Sequence, residues 1–291
     1  MIATARRLIL LLLTAVIIPA LALLALILLA VNLLARLAER RKPCAPADDP
    51  ALSGAASIIV LNWNGRDLLE RNLPSVVEAV RVDGRPHEIM VVDNGSTDGS
   101  VEFLRNAFPG VRVLPLPSNL GFGDGNNAGA QAAAHDILVL LNNDMRVDPG
   151  FLRPLLDGFG PDTFAVSSQI LMQDREARRE ETGKTTAVFR RGMIDFSHRA
   201  VTGPEPARAC YPVLWAGGGS SAFHRRRFLQ LGGFDGLFSP AYVEDTDISY
   251  RAWKYGWEIL FAPASVVYHR HRASSSRRHR PAELESLIRR N

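Results

Sequence analysis

Cysteine is scarce in this chain: among 291 residues only Cys44 and Cys210 carry a thiol. Two such distant thiols make no disulfide framework, which agrees with a reducing compartment. Long hydrophobic runs are scarce too. From Leu8 to Ala35 the chain is apolar except for Thr14, Pro19 and Asn32, and nothing after Phe261 is apolar for long enough to cross a bilayer. One retained span is therefore expected near the N-terminus, because a secretory signal has a shorter apolar core and a clear small-residue cleavage site. Aromatic residues are absent after Tyr268, where the basic run "HRHRASSSRRHR" (269–280) lies. Nucleic-acid binding calls for stacking rings among the cations, so nucleic acid is not expected as a partner. The bland reading is a solvated or membrane-apposed tail.

What is present begins with the flanks of the apolar run. Arg6 and Arg7 precede it, while Arg36, Arg40, Arg41 and Lys42 follow it. That excess of Lys and Arg on the C-terminal side predicts a single-pass protein with a cytoplasmic body. The expected organisation is a membrane anchor at 1–40 (span about 8–35), a Pro/Ala/Gly/Asp-rich linker at 41–56, a body at 57–276 and a basic tail at 277–291. The ending "PAELESLIRRN" is basic and suited to lying on membrane lipids.

From Ser57 apolar strands alternate with helical segments. "SIIVLN", "EIMVVD" (88–93), "VRVLPL" (111–116) and "DILVLLN" (136–142) read as strands. Helices are expected at 66–80, with Leu68, Leu69, Leu73, Val76, Val77 and Val80 inward, at about 98–107, at about 125–134, and from Asp148-Pro149 onward. Continuous apolar strands separated by helices predict an α/β fold with a mostly parallel sheet flanked by helices. The rhythm breaks over 173–212, a polar stretch read as a long excursion beside the site.

In open α/β sheets ligands bind at the carboxyl ends of the strands. Three of the four strands end in polar groups: Asn62-Trp63-Asn64-Gly65, Asp93-Asn94-Gly95-Ser96 and Asn142-Asn143-Asp144. Each alone is an ordinary turn; together they mark an edge. Asp93 can accept hydrogen bonds from a nucleobase N–H or a ribose hydroxyl, and Trp63 can offer a stacking face. "NLGFGDGNNAGA" fails the GxGxxG pattern, since Asn126 occupies the third glycine position. Its glycines serve either close backbone approach to a ligand or close packing of helix on sheet. Asp144 suits Mg2+ or Mn2+ shared with a diphosphate, with His269 a second ligand if the fold returns it to the same edge. In "YVEDTDISYRAWKYGW", a helix from Asp245 puts Asp245, Ile248 and Ala252 on one face, and Asp247, Arg251 and Lys254 on another. Asp247 then reads as structural, while Asp245 either caps the helix or faces the crevice.

The ordered set "IIVLNWNGRDLL", "IMVVDNGSTDGS", "NLGFGDGNNAGA", "LLNNDMRVDPGFL", "GGGSSAFHRRRFLQLGGFD", "YVEDTDISYRAWKYGW" and "VVYHRH" resembles family 2 glycosyltransferases of the Rossmann-like GT-A fold, in particular the rhamnosyltransferase-like branch. The resemblance runs from about Ser57 to about Ser276. It implies a transferase of the hexosyl or rhamnosyl class using a nucleotide-diphosphate sugar donor. Asn62, Trp63, Asp93, Asn119, Gly123 and Asn143 would serve the nucleotide, and Gly217, Gly218 and Glu244 the acceptor side. Asp245 would be the catalytic base, and Asp144 and His269 the metal ligands. The family's Asp-x-Asp motif stands here as Asn142-Asn143-Asp144, so only its last carboxylate is carried over. The implied chemistry is one inverting displacement assisted by Mg2+ or Mn2+, onto a membrane-associated glycan or lipid-linked acceptor.

Processive synthases of this type carry Gln-x-x-Arg-Trp and further spans, and neither is present. A nucleotidyltransferase would want a basic glycine-rich loop after the first strand, where "NWNGRDLL" has only Arg66. The remaining alternative is a membrane-tethered sugar-nucleotide-binding protein without turnover.

Overall fold

The computed structural model describes residues 2–39, 52, 54–172, 182–199 and 210–269. Cys44, nearly all of the expected linker, the tail from 270 onward and the stretches 173–181 and 200–209 lie outside the described residues. The chain divides into two compact units, Met1–Asp49 and Pro50–Asn291.

The first unit is one helix, α1 (Ile2–Glu39). Its segment Leu13–Leu34 is apolar and exposed throughout. Twenty-two residues at ~1.5 Å rise span ~33 Å, which matches a hydrocarbon core of about 30 Å.

The second unit is built on β1 (Ala56–Asn62), α2 (Arg66–Asp83), β2 (Glu88–Asp93), α3 (Ser100–Ala107), β3 (Arg112–Pro115), α4 (Phe122–Ala132) and β4 (Ile137–Asn142). Next come β5 (Met145–Val147), α5 (Leu152–Leu156), β6 (Thr163–Met172), β7 (Thr185–Arg190) and β8 (Met193–His198). The last elements are β9 (Tyr211–Pro212), β10 (Ser220–His224), α6 (Arg225–Gln230), α7 (Glu244–Lys254) and β11 (Glu258–His269). The main sheet runs β3-β2-β1-β4-β10-β6-β11-β5, with β9 beside β11. Its first four strands are parallel, as expected. Beyond β4 the sheet is mixed. β10 enters at the carboxyl end of β4, with Ser220 opposite Leu141, and runs back antiparallel to both β4 and β6.

β1, β2 and β4 are buried along nearly their whole length, which is why they read as unbroken apolar runs. Two apolar clusters, one on Ile58, Val139 and Leu152 and one on Ile59, Leu140 and Phe223, hold, among the described residues, members of the second unit alone.

Local deviations from the expected elements have physical causes. On α2 Val77 is exposed while Asn72 and Ala79 are buried, because Val77 lies off the inward stripe of residues 68, 69, 72, 73, 76 and 79. No helix begins at Pro149; residues 148–151 form a turn, with Phe151 N–H on Asp148 O, and α5 starts at Leu152. Within the 173–212 excursion, residues 185–198 form a β-hairpin.

Of the two roles read for the glycines of α4, close packing is seen at Gly129. A Cβ on Gly129 would sit 2.8 Å from Ile59 Cγ2 and 2.9 Å from Val92 Cγ2, so this glycine lets the helix lie close on the sheet. Gly129→Ala gains at most about 1 kcal/mol of helix propensity. Overpacking against two buried β-branched side chains costs about 1–3 kcal/mol. The expected result is a lower melting temperature by calorimetry.

Candidate active site

The strand ends meet as a hydrogen-bonded edge. Asn62 is fully buried, and its Nδ2 reaches Asp93 Oδ1 (3.2 Å), Ser100 Oγ (3.1 Å) and Ser96 Oγ (3.3 Å). Its Oδ1 accepts from Asn143 Nδ2 at 2.8 Å. Asn143 is held from behind by Asn72, whose Nδ2 donates to its carbonyl at 2.9 Å. Asn62 and Asn143 thus brace one another under the edge. Asp93, 2% exposed, also accepts the Ser96 N–H at 3.0 Å. A carboxylate has about four acceptor positions, so capacity remains for a base N–H. Asp98 accepts the N–H of Arg66 (2.9 Å) and of Ser100 (3.1 Å), tying the starts of α2 and α3 together beside Trp63 and Asn64.

Asn119 closes its own loop, its Oδ1 accepting from Gly121 N–H (2.9 Å) and Asn94 Nδ2 (3.2 Å). The following turn is fastened by Phe122 N–H to Pro240 O at 2.8 Å. Gly123 lines a small cleft with Leu120, Asp124, Asp235 and Glu244. The resemblance assigns Gly123 to the nucleotide and Glu244 to the acceptor side, and in the fold both line this cleft. Asp235, whose Oδ1 accepts the Leu237 N–H, carries no local sequence sign of its place in this cleft. Asn72, behind Asn143, carried a sign of its own: a polar residue on the inward stripe of a helix.

β11 runs parallel to β6 and antiparallel to β5, with His269 opposite Met145. That register returns His269 to the edge where Asp144 sits. His269 Nε2 lies 3.4 Å from Asp144 Oδ1, and the two residues are 5% and 2% exposed. Asn142 N–H donates to Gly219 O (2.9 Å), and a Cβ on Gly219 would lie 2.7 Å from Asn142 Nδ2. This contact leads to the base candidate. Gly218 N–H donates to Asp245 Oδ2 at 3.3 Å, and a Cβ on Gly217 would lie 3.8 Å from the same oxygen.

α7 answers which way Asp245 points. Ile248 and Ala252 are fully buried below it, and Val243, not Asp245, stands at the cap position. Asp245 Oδ1 accepts the Thr246 N–H at 2.7 Å while Oδ2 faces the 217–218 loop. Asp247 pairs with Arg251 (2.8 Å), as the spacing predicts. Arg251 also donates to the carbonyls of Leu231 and Gly233, so this face pins a loop. Glu244 is 6% exposed, and its Oε2 has no hydrogen-bond partner among the described residues. Burial, and after it the charge of adjacent Asp245, push its carboxyl up to about 8.

Residues 57–228 match the family model described as Glycosyl transferase family 2. The chain belongs to glycosyl transferase family 2. Over 246 residues this family 2 member is 29% identical to the N-acetylglucosaminyl-diphospho-decaprenol L-rhamnosyltransferase of Mycobacterium tuberculosis, covering 76% of this chain and 77% of that one. Over 273 residues it is 26% identical to polypeptide N-acetylgalactosaminyltransferase 15 of Homo sapiens, covering 87% of this chain and 41% of that one. Among solved structures it is similar to GalNAc-T7 with UDP, GalNAc and Mn2+, with a TM-score of 0.60 and 21% identity over 78% of this chain and 45% of that one. The fold is GT-A, and the protein is a glycosyltransferase.

Proposed function

We propose that this chain is a membrane-anchored, non-processive inverting glycosyltransferase. It moves a hexosyl or rhamnosyl group from a nucleoside-diphosphate sugar to a hydroxyl of a glycan or lipid-linked acceptor, with its body on the cytoplasmic side. The observation that carries this reading is the Asp245 carboxylate, held at the start of α7 against Gly218, one residue before Gly219, whose carbonyl accepts the Asn142 N–H at the strand end. The named acceptor of the mycobacterial relative, a decaprenol-linked N-acetylglucosamine, supports a polyprenyl-diphosphate sugar as the acceptor class.

In this reading Asp93 receives the base of the nucleotide, with Trp63 against its face. Asn62 and Asn143 hold the edge rigid, and Asn119 and Gly123 border the nucleoside. Gly217, Gly218 and Glu244 border the acceptor. Asp245 takes the proton from the acceptor hydroxyl as that oxygen attacks the anomeric carbon. The sugar–phosphate bond breaks on the opposite face, so the anomeric configuration inverts.

Asp144 and His269 fit a divalent ion. Their facing atoms are 3.4 Å apart, close to the ~3.0–3.4 Å between adjacent ligands that each stand ~2.1 Å from one ion. Among the described residues no group of three or more His, Cys, Asp or Glu is placed to hold a metal. The two would therefore share Mg2+ or Mn2+ with the donor diphosphate and water. When bound, such an ion supplies positive charge to the leaving diphosphate. Asp144→Ala and His269→Ala are each expected to weaken Mn2+ binding in the presence of a nucleoside diphosphate. Since loss of outer-shell partners alone costs ~10–100-fold in affinity, the loss should be at least that large. Electron paramagnetic resonance titration of free Mn2+ reads it directly.

The functional test is a screen of nucleotide sugars with the full chain in detergent, with membrane lipid extract, and with or without Mg2+ or Mn2+. Metal-dependent nucleoside diphosphate release from one donor is the expected result. Saturable donor binding without release in the presence of lipid extract would make the protein a sugar-nucleotide-binding protein. No donor binding at all would overturn the reading.

A further inference from the structure

The β7–β8 hairpin leaves the body with an apolar face that no described residue covers. Its pairs are Thr185–His198, Ala187–Phe196 and Phe189–Ile194 on one face, and Thr186–Ser197, Val188–Asp195 and Arg190–Met193 on the other. The first face starts on the body. Thr185 Oγ1 donates to Trp215 O (2.8 Å) and accepts its N–H (2.9 Å), and the rings of Phe196 and His198 stand edge-on to Trp215. Farther out the face is bare: Phe196 is 50%, Ile194 56% and Phe189 72% exposed, and on the other face Met193, beside the turn, is 73% exposed. The turn is Arg191-Gly192, both at positive φ (51° and 81°), the two-residue type that matches strand twist. A two-stranded ribbon is marginal in water by itself, and large exposed apolar faces mark interaction sites.

We propose that this hairpin docks on an anionic bilayer, with Phe189, Ile194 and Phe196 in the interfacial layer and Arg190 and Arg191 on lipid phosphates. Charge favours that occupant: residues 182–199 hold Lys184, Arg190, Arg191 and Arg199 against Asp195 alone. Large apolar side chains flanked by cations are the composition of elements that lie in a membrane interface. The flanking sequences "QDREARREE" (173–181) and "AVTGPEPARA" (200–209) contain no aromatic residue and little apolar surface to place against the stripe. The location gives the docking a purpose. Trp215, the foot of the stripe, stands two residues before Gly217, so a docked hairpin would hold the 217–218 loop and Asp245 next to the lipid surface. This rests on the proposed membrane-linked acceptor and tethered body, but its test does not require either.

The test uses residues 50–291, the second compact unit, whose two apolar clusters are built from its own described residues. Their co-sedimentation is measured with phosphatidylcholine vesicles, with and without phosphatidylglycerol. Wild type is expected to bind the anionic vesicles. Phe189→Ser/Ile194→Ser, at an unchanged melting temperature, should bind at least about tenfold more weakly. Arg190→Ser/Arg191→Ser should lose about tenfold of the preference for anionic over neutral vesicles. Binding by the 270–291 tail would survive both changes. Three results overturn the proposal: no vesicle binding, binding equal in wild type and the Phe189/Ile194 variant, or a vesicle-independent dimer in sedimentation velocity that this variant dissolves. Full-chain membrane retention and donor turnover, measured separately, report on the anchor and the transferase reading whatever the hairpin does.

Discussion

Replacing Asp245 by Asn is expected to lower turnover by about 10²–10⁴-fold while leaving donor affinity within about twofold, the range over which a positioned general base contributes. Asn is nearly isosteric: its amide oxygen can keep the 2.7 Å bond from the Thr246 N–H, and only the longer 3.3 Å contact of Oδ2 with the Gly218 N–H, which an amide NH2 cannot accept, is given up. The loop and α7 should therefore keep their places. What is lost is the basic oxygen. Asp245 stands at the first turn of α7, beside Glu244, whose burial keeps it neutral near pH 7. A helix N-terminus favours negative charge on the acids of this first turn, and burial raises Glu244 of the two. Single-turnover release of nucleoside diphosphate, with donor affinity measured separately by calorimetry, checks both halves. Turnover within a few fold of wild type would remove Asp245 from the role of base.

The parallel half of the sheet was legible because strands buried on both faces leave continuous apolar runs, as in β1, β2 and β4. The turn from Asn142 to Asp144 was legible for the same reason: polar groups at the end of such a run stand out. Reversal of β10 was not, since direction depends on where the chain re-enters, and Gly217–Gly219 has no pattern that says so. The hairpin hid for two reasons. Its turn uses Arg191 at positive φ where Asn, Asp or Gly is usual, and its strands have no buried face beyond Thr185 to impose a readable period. The placement of His269 needed β11 to pair with β5, a contact between distant segments that spacing alone leaves open. Helical spacing did assign Asp245 to the inner face and Asp247 to the outer one. The company Glu244 keeps, with Gly123 and Asp235, comes from tertiary packing alone.

Glu244 makes folding stability depend on pH. Its carboxyl is pushed from an ordinary value of 4.5 to about 8, first by burial and then by the Asp245 charge. Between these two values the folded chain keeps a proton that the unfolded chain releases. Stability must then fall as pH rises through that window, by up to about 1.4 kcal/mol per pH unit, and level off above it. Below pH 4.5 both states are protonated, and the group adds no slope. Glu244→Gln keeps the size and a hydrogen-bonding head but cannot ionise. Urea unfolding of residues 50–291 at pH 5, 7 and 9 should give a variant close to wild type at pH 5. At pH 9 the variant should be more stable by an amount on the order of a few kcal/mol. The sign separates this origin from ordinary carboxylate pairing, which would make the wild type gain stability as pH rises. Parallel profiles for the two proteins would mean that water or movement of α7 relieves the buried carboxylate. The proton held on Glu244 at neutral pH would then lose its basis.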